Sequence, residues 1–168
     1  MRLNSFLLLF FLILHFTSAN AQSYLLSNES MVLSFETNKG KRMVLAQDTG
    51  NAYLVYRYGT DDVIELEFPS NKDTTSWNFF LLSTYFRGGG KANAGMDINH
   101  LSFINNFTEY TIFEDYFAES NTYEIGIEVK NLYNGKINRI QGKLKSKKGT
   151  LIKLGSSSQI KMSDDLDY

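Results

Sequence analysis

Hydrophobic and polar residues alternate along most of this chain with the two-residue period of half-buried β-strands. Residues 31–37 set Met31, Leu33 and Phe35 on one face, and Asn38-Lys39-Gly40-Lys41 then turns the chain into a returning strand, 42–48. Thr49-Gly50-Asn51 leads to a strand at 52–58, and Gly59-Thr60-Asp61-Asp62 to another at 63–68. In the latter, Val63, Glu65 and Glu67 oppose Ile64, Leu66 and Phe68. After a loop at 69–76, residues 77–86 (WNFFLLSTYF) are apolar on both faces, which predicts a central strand. Trp77, Phe79 and Leu81 are assigned to the core with Ile125, Ile127 and Val129 of a later strand at 123–129.

A polar, glycine-rich stretch follows from Arg87 to about Gly95. Further strands are predicted at 96–103, 108–117, 137–144 and 150–154, with Asn105-Asn106, 118–122, Asn134-Gly135 and Lys148-Gly149 as turns. Such spacing, about ten short strands, belongs to all-β sandwiches and barrels, and the short connections favour antiparallel neighbours. The expected fold is therefore a single-domain all-β antiparallel meander. It forms either a β-barrel (lipocalin-like or lysozyme-inhibitor-like) or a two-sheet sandwich, the barrel first because closure removes edges.

The amino-terminal residues stand apart. Arg2 precedes an apolar run at 6–16 that ends at Thr17-Ser18-Ala19-Asn20-Ala21. This is the layout of a secretory signal peptide cut before Gln22, and the run is too short to span a bilayer. The division expected is a signal peptide at 1–21, an all-β domain at 22–154 and a polar, acidic tail at 155–168, with export to a periplasm or beyond the cell. Without Arg2 the chain carries 16 basic and 18 acidic residues. That balance argues against nucleic acid as a partner and against a polybasic membrane-surface role. No membrane span is expected. With no cysteine, disulfides, thiol catalysis and cysteine-held metals are excluded.

Candidate chemistry concentrates at 87–100, which holds four glycines and His100, the only histidine after the leader. Gly90-Lys91 is followed by Ala92 rather than Ser or Thr, so it is not a phosphate loop. Asp97 and His100 lie three apart, on opposite faces of a strand, and are too few for a zinc site. No G-x-S-x-G motif supplies a nucleophile. Glu65 with Glu67, and Glu124 with Glu128 across Gly126, share strand faces that read as solvated. The abundant tyrosines suit cross-strand packing more than a ligand face.

In architecture alone this plan resembles the small periplasmic β-barrel lysozyme inhibitors, whose cysteine-bearing motif is absent here. The resemblance implies export and a loop that plugs a partner's cleft. The expected function is a non-enzymatic binding or inhibitory module. It would be a monomer without cofactor or metal, meeting a protein or glycan through Arg87, Lys91, Asn93, Asp97, Asn99 and His100. A small hydrolase around Asp97 and His100, or a structural envelope protein, are the alternatives.

Overall fold

A computed structural model describes residues 24–163. The expected leader, 1–21, and the end of the acidic tail, 164–168, lie outside the described residues.

Four antiparallel strands come first: β1 (Glu29–Glu36), β2 (Arg42–Asp48), β3 (Leu54–Gly59) and β4 (Ile64–Phe68). A second antiparallel run contains β5 (Leu81–Arg87), β6 (Met96–Asn105), β7 (Thr108–Phe117), β8 (Thr122–Asn131) and β9 (Ile137–Gln141). The short β10 (Lys148–Gly149) then returns to β1, and β11 (Lys161–Ser163) joins β5 in parallel. The sheets run β10-β1-β2-β3-β4 and β11-β5-β6-β7-β8-β9.

The fold is all-β, as expected, but the closed barrel expected first does not form. No pairing links β4 to β5, because segment 69–80 carries the chain from one sheet to the other. At the opposite side a single bridge, Thr37 to Gly142, touches the sheets together. The result is a two-sheet sandwich with one pinched corner.

The core lies between the sheets. Leu33, Phe35, Leu45, Leu54 and Tyr56 meet Leu82, Leu101, Phe103, Ile112, Ile125 and Ile127 there. Phe103 is its centre: its ring stacks on Phe68 and Tyr110 with centroids 4.6 and 5.0 Å away and tilts against Tyr56 at 4.9 Å.

Three local expectations are corrected. Residues 77–86 are not one strand. Asp73 accepts from the Thr75 amide at 2.8 Å and caps a 3-10 turn, Thr74–Phe79, so β5 begins only at Leu81. Trp77 is buried in that turn, its indole N–H donating to the Asn51 carbonyl. The phase of the strand is consequently reversed: Phe80 and Leu82 face the core, while Phe79 is 50% and Leu81 37% exposed. Ile125 and Ile127 are buried as expected, and Val129 is half-buried against them. Second, 150–154 is not a strand. The Thr150 side chain caps a second 3-10 turn, Leu151–Ser156, which drops Leu151 and Leu154 into the core. Third, the polar segment from 155 does not trail into solvent, since Ile160 is buried and β11 pairs with β5.

The outer face of the β1–β4 sheet is partly covered, and a cavity of about 950 Å³ lined by Tyr24, Ser34, Arg42, Val44 and Asp61 stays open beside the cover. Tyr24 and Leu25 pack on Val44, Ala46, Tyr53 and Val55. Beneath them Arg57, 1% exposed, grips Glu29 through two guanidinium nitrogens at 2.5 and 2.7 Å, and its Nε donates to Glu67 at 2.7 Å. Burial pushes the Glu29 carboxyl up, but donors from Arg57, Leu26 and Tyr53 outweigh it and hold it below the ordinary range. Glu67 is likewise held low, burial being overcome by Lys72 and Arg57.

Two outcomes are expected. Leu82→Ala costs about 2–5 kcal/mol, whereas Leu81→Ala, at a partly exposed site, costs about 1 kcal/mol or less; urea denaturation distinguishes them. Stability also depends on acid. The unfolded chain binds more protons than the folded one as pH falls through the carboxylate range. The unfolding midpoint should therefore hold steady from neutral pH down to the ordinary glutamate value of 4.5 and decline below it as Glu29 and Glu67 protonate.

Candidate binding groove

On the second sheet the outer face is open. Because side chains alternate, the residues of β5–β9 that point away from the core form one continuous surface. Across the strands it runs Ser83, His100, Phe113 and Gly126, each paired in register with the next. This surface is concave and holds a groove of about 660 Å³.

Gly126 shapes the floor. A Cβ there would lie 2.4 Å from Phe113 Cζ and 2.4 Å from the Ile140 carbonyl oxygen. Glycine leaves the space in which the Phe113 ring lies across the sheet. Arg139 covers that ring, its guanidinium carbon 4.0 Å from the centroid, and donates at 2.8 Å to Glu124. Phe113 is therefore buried on a face with no second layer.

Fixed polar groups surround it. His100 Nε2 lies 2.9 Å from Asp115 Oδ1, and Lys130 Nζ lies 3.9 Å from Glu109. Ser83, Ser102 and Thr111 add hydroxyls. Glu128 has no ion-pair partner among the described residues. Four carboxylates, Glu109, Asp115, Glu124 and Glu128, thus face two permanent cations, Lys130 and Arg139, and one histidine. The groove is a hydrogen-bonding surface with an acidic surplus.

Below the groove, on the core side of β7, Glu114 is buried. It accepts from Tyr123 at 2.6 Å, Thr150 at 3.0 Å and the Leu151 amide at 2.8 Å, and pairs with Lys147 at 2.6 Å. Burial pushes its carboxyl up, but these donors prevail and hold it low. Burial and the Glu114 carboxylate push the Tyr123 phenol well up.

Of the six residues singled out at 87–100, Asp97 and Asn99 meet each other, but the six do not share one surface. Arg87 ends β5 and donates twice to the Ala94 carbonyl, at 2.9 and 2.7 Å, so it ties the glycine-rich loop shut. Asn93 donates back to the Gly88 carbonyl, and Lys91 stands exposed on a 3-10 turn. Asp97, Asn99 and His100 belong to β6, which shortens the loop. Asp97 accepts from Asn99 on the core-side face, and only His100 lies in the groove. Sequence reasoning missed Phe113, Asp115 and Arg139. Its one available signal was Gly126 between Glu124 and Glu128 inside an otherwise β-branched strand.

The row Ser83–His100–Asp115 has the residue types of a nucleophile, a base and an orienting acid. It sits on β5, β6 and β7, flanked by paired strands on both sides, so their backbone N–H groups serve the sheet.

These features define an all-β sandwich with one partly covered outer face and one open, concave, polar outer face. Comparison with protein-family models, with curated proteins and with solved structures gives no match.

The groove depends on Gly126. Gly126→Ala should cost about 1–3 kcal/mol by overpacking, read as a lowered thermal midpoint. A midpoint equal to the parent's would show that Phe113 has room to move.

Proposed function

We propose that this protein is an exported, non-enzymatic binding module that holds a glycan against the open face of its second sheet. The observation that carries the reading is the groove itself: a concave sheet surface on which the His100–Asp115 and Arg139–Glu124 pairs stand beside the Glu128 carboxylate and the Ser102 and Thr111 hydroxyls. A glycan presents many hydroxyl donors and acceptors on a weakly apolar ring. Carboxylates, an arginine and hydroxyl side chains match that chemistry, and the paired charges among them are ordered before binding. The surplus of carboxylates favours neutral or amino-bearing sugars over acidic ones. Tyr85, partly exposed and on the same face beside Ile98, offers a ring on which a sugar can stack.

Export rests on the leader-like segment at 1–21, and it would place the module where glycans are abundant. The glycine-rich loop is the competing contact surface. Its internal hydrogen bonds favour a structural role, while the exposure of Lys91 keeps it accessible.

The chain from Gln22 onward, screened against neutral, amino-bearing and acidic oligosaccharides, should retain members of the first two sets. Against a retained sugar, Glu128→Gln and Thr111→Ala should each weaken binding about tenfold, the equivalent of one good hydrogen bond. Lys91→Ala should leave it unchanged. Loss of binding only in the Lys91 variant would return the assignment to the loop. Retention of acidic sugars alone would reject the electrostatic argument.

A further inference from the structure

At one end of the second sheet, two hairpins carry an apolar surface that nothing in the groove uses. The β6–β7 connection places Asn106 and Phe107 at positive φ, 49° and 57°, between the paired residues Asn105 and Thr108. This is a two-residue turn in which both central positions are left-handed, a conformation that favours Asn-Gly. The turn expected at Asn105-Asn106 is displaced by one residue, and phenylalanine occupies the position suited to glycine. A branched-ring side chain in left-handed backbone is strained. Phe107 recovers nothing by packing, since it is 75% exposed.

The neighbouring β8–β9 connection presents Leu132 and Tyr133, the latter 90% exposed. The two tips are joined, because the Leu132 amide donates to the Phe107 carbonyl at 2.9 Å. The second tip is also rigid. The Asn131 side chain accepts from the amides of Tyr133 and Asn134, and the Asn131 amide donates to the Lys136 carbonyl. Ile104 and Ile137, both more than half exposed, flank the tips on the groove side. Within 104–108 and 131–137 the only charged residue is Lys136.

We propose that these paired tips are a contact for a lipid surface, inserting Phe107, Leu132 and Tyr133 among the headgroups of a bilayer. The residues protrude from turns instead of lining a pocket. A bilayer interface accepts protruding aromatic and aliphatic groups directly, with no complementary pocket required. Phenylalanine and leucine supply apolar insertion, and tyrosine suits the headgroup level. The absence of carboxylates from both tips, with Lys136 beside them, matches an anionic or zwitterionic surface. Insertion at this end leaves the sheet's outer face free, so the contact is compatible with the groove and independent of its ligand.

The test uses the chain from Gln22 onward, which contains every described residue and lacks the apolar leader. It is sedimented with phosphatidylcholine vesicles, with and without phosphatidylglycerol. The parent should partition onto both, more strongly with the anionic lipid. Phe107→Gly removes the aromatic ring and relieves the left-handed strain, so this variant should melt at the same temperature as the parent or higher. Combined with Tyr133→Ser, it should lower vesicle partitioning about tenfold or more. Unchanged partitioning in the folded double variant, or no partitioning by the parent, would overturn the proposal. Parent dimerisation in sedimentation velocity that Phe107→Gly abolishes, without vesicle binding, would also overturn it and identify the tips as a self-association surface.

Discussion

The sandwich depends on one buried carboxylate. Glu114 projects from β7 into the space where the carboxy-terminal segment crosses between the sheets, and four donors converge on it, Tyr123 from β8 and Lys147, Thr150 and Leu151 from the crossing segment. Two of them, the Thr150 hydroxyl and the Leu151 amide, begin the 3-10 turn that sends Leu151 and Leu154 into the core. Lys147 precedes β10, which pairs with β1 of the other sheet. An ionised carboxylate in that position would be costly without these partners; with them it becomes the fixed point about which the crossing segment folds.

That crossing segment explains why a meander closes into a sandwich without a barrel. The chain leaves β9 in the second sheet, adds β10 to the first, passes through the core, and returns to the second sheet as β11. It staples the layers from within, a task that disulfides perform in many small exported domains. Thr37 and Gly142 complete the attachment at the corner.

The two outer faces use charge differently. On the first sheet Arg57 and Glu29 are buried beside Tyr24, so that ion pair is removed from solvent and serves stability, while Glu67 reaches the surface and Lys72. On the second, Arg139 roofs Phe113 and meets Glu124 at a side chain that remains partly exposed. The first face is covered in part by Tyr24 and Leu25. The second is held rigid but left uncovered, and its end carries the hairpin tips whose aromatic residues gain nothing from the fold.

Much of the architecture was legible in the chain, because strand alternation and turn chemistry act over a few residues. The strands at 42–48 and 123–129, and the turns at Gly40 and Gly135, reappear in the structure. What failed were choices that local pattern leaves degenerate. Residues 77–86 are apolar at every other position in either phase, so only the Asp73 cap and the packing of Trp77 decided that Phe80 and Leu82 turn inward while Phe79 and Leu81 turn out. The candidate groove was invisible for a related reason. Ser83, His100, Phe113, Gly126 and Arg139 stand far apart in sequence and become neighbours only through the register of five strands. By itself the sequence determined an all-β chain with short antiparallel strands and no cysteine chemistry, since those follow from residue type and spacing. Whether the sheets closed, which face of each was covered, and which polar residues met were decided by the tertiary structure, because each depends on contacts between segments whose pairing no local pattern encodes.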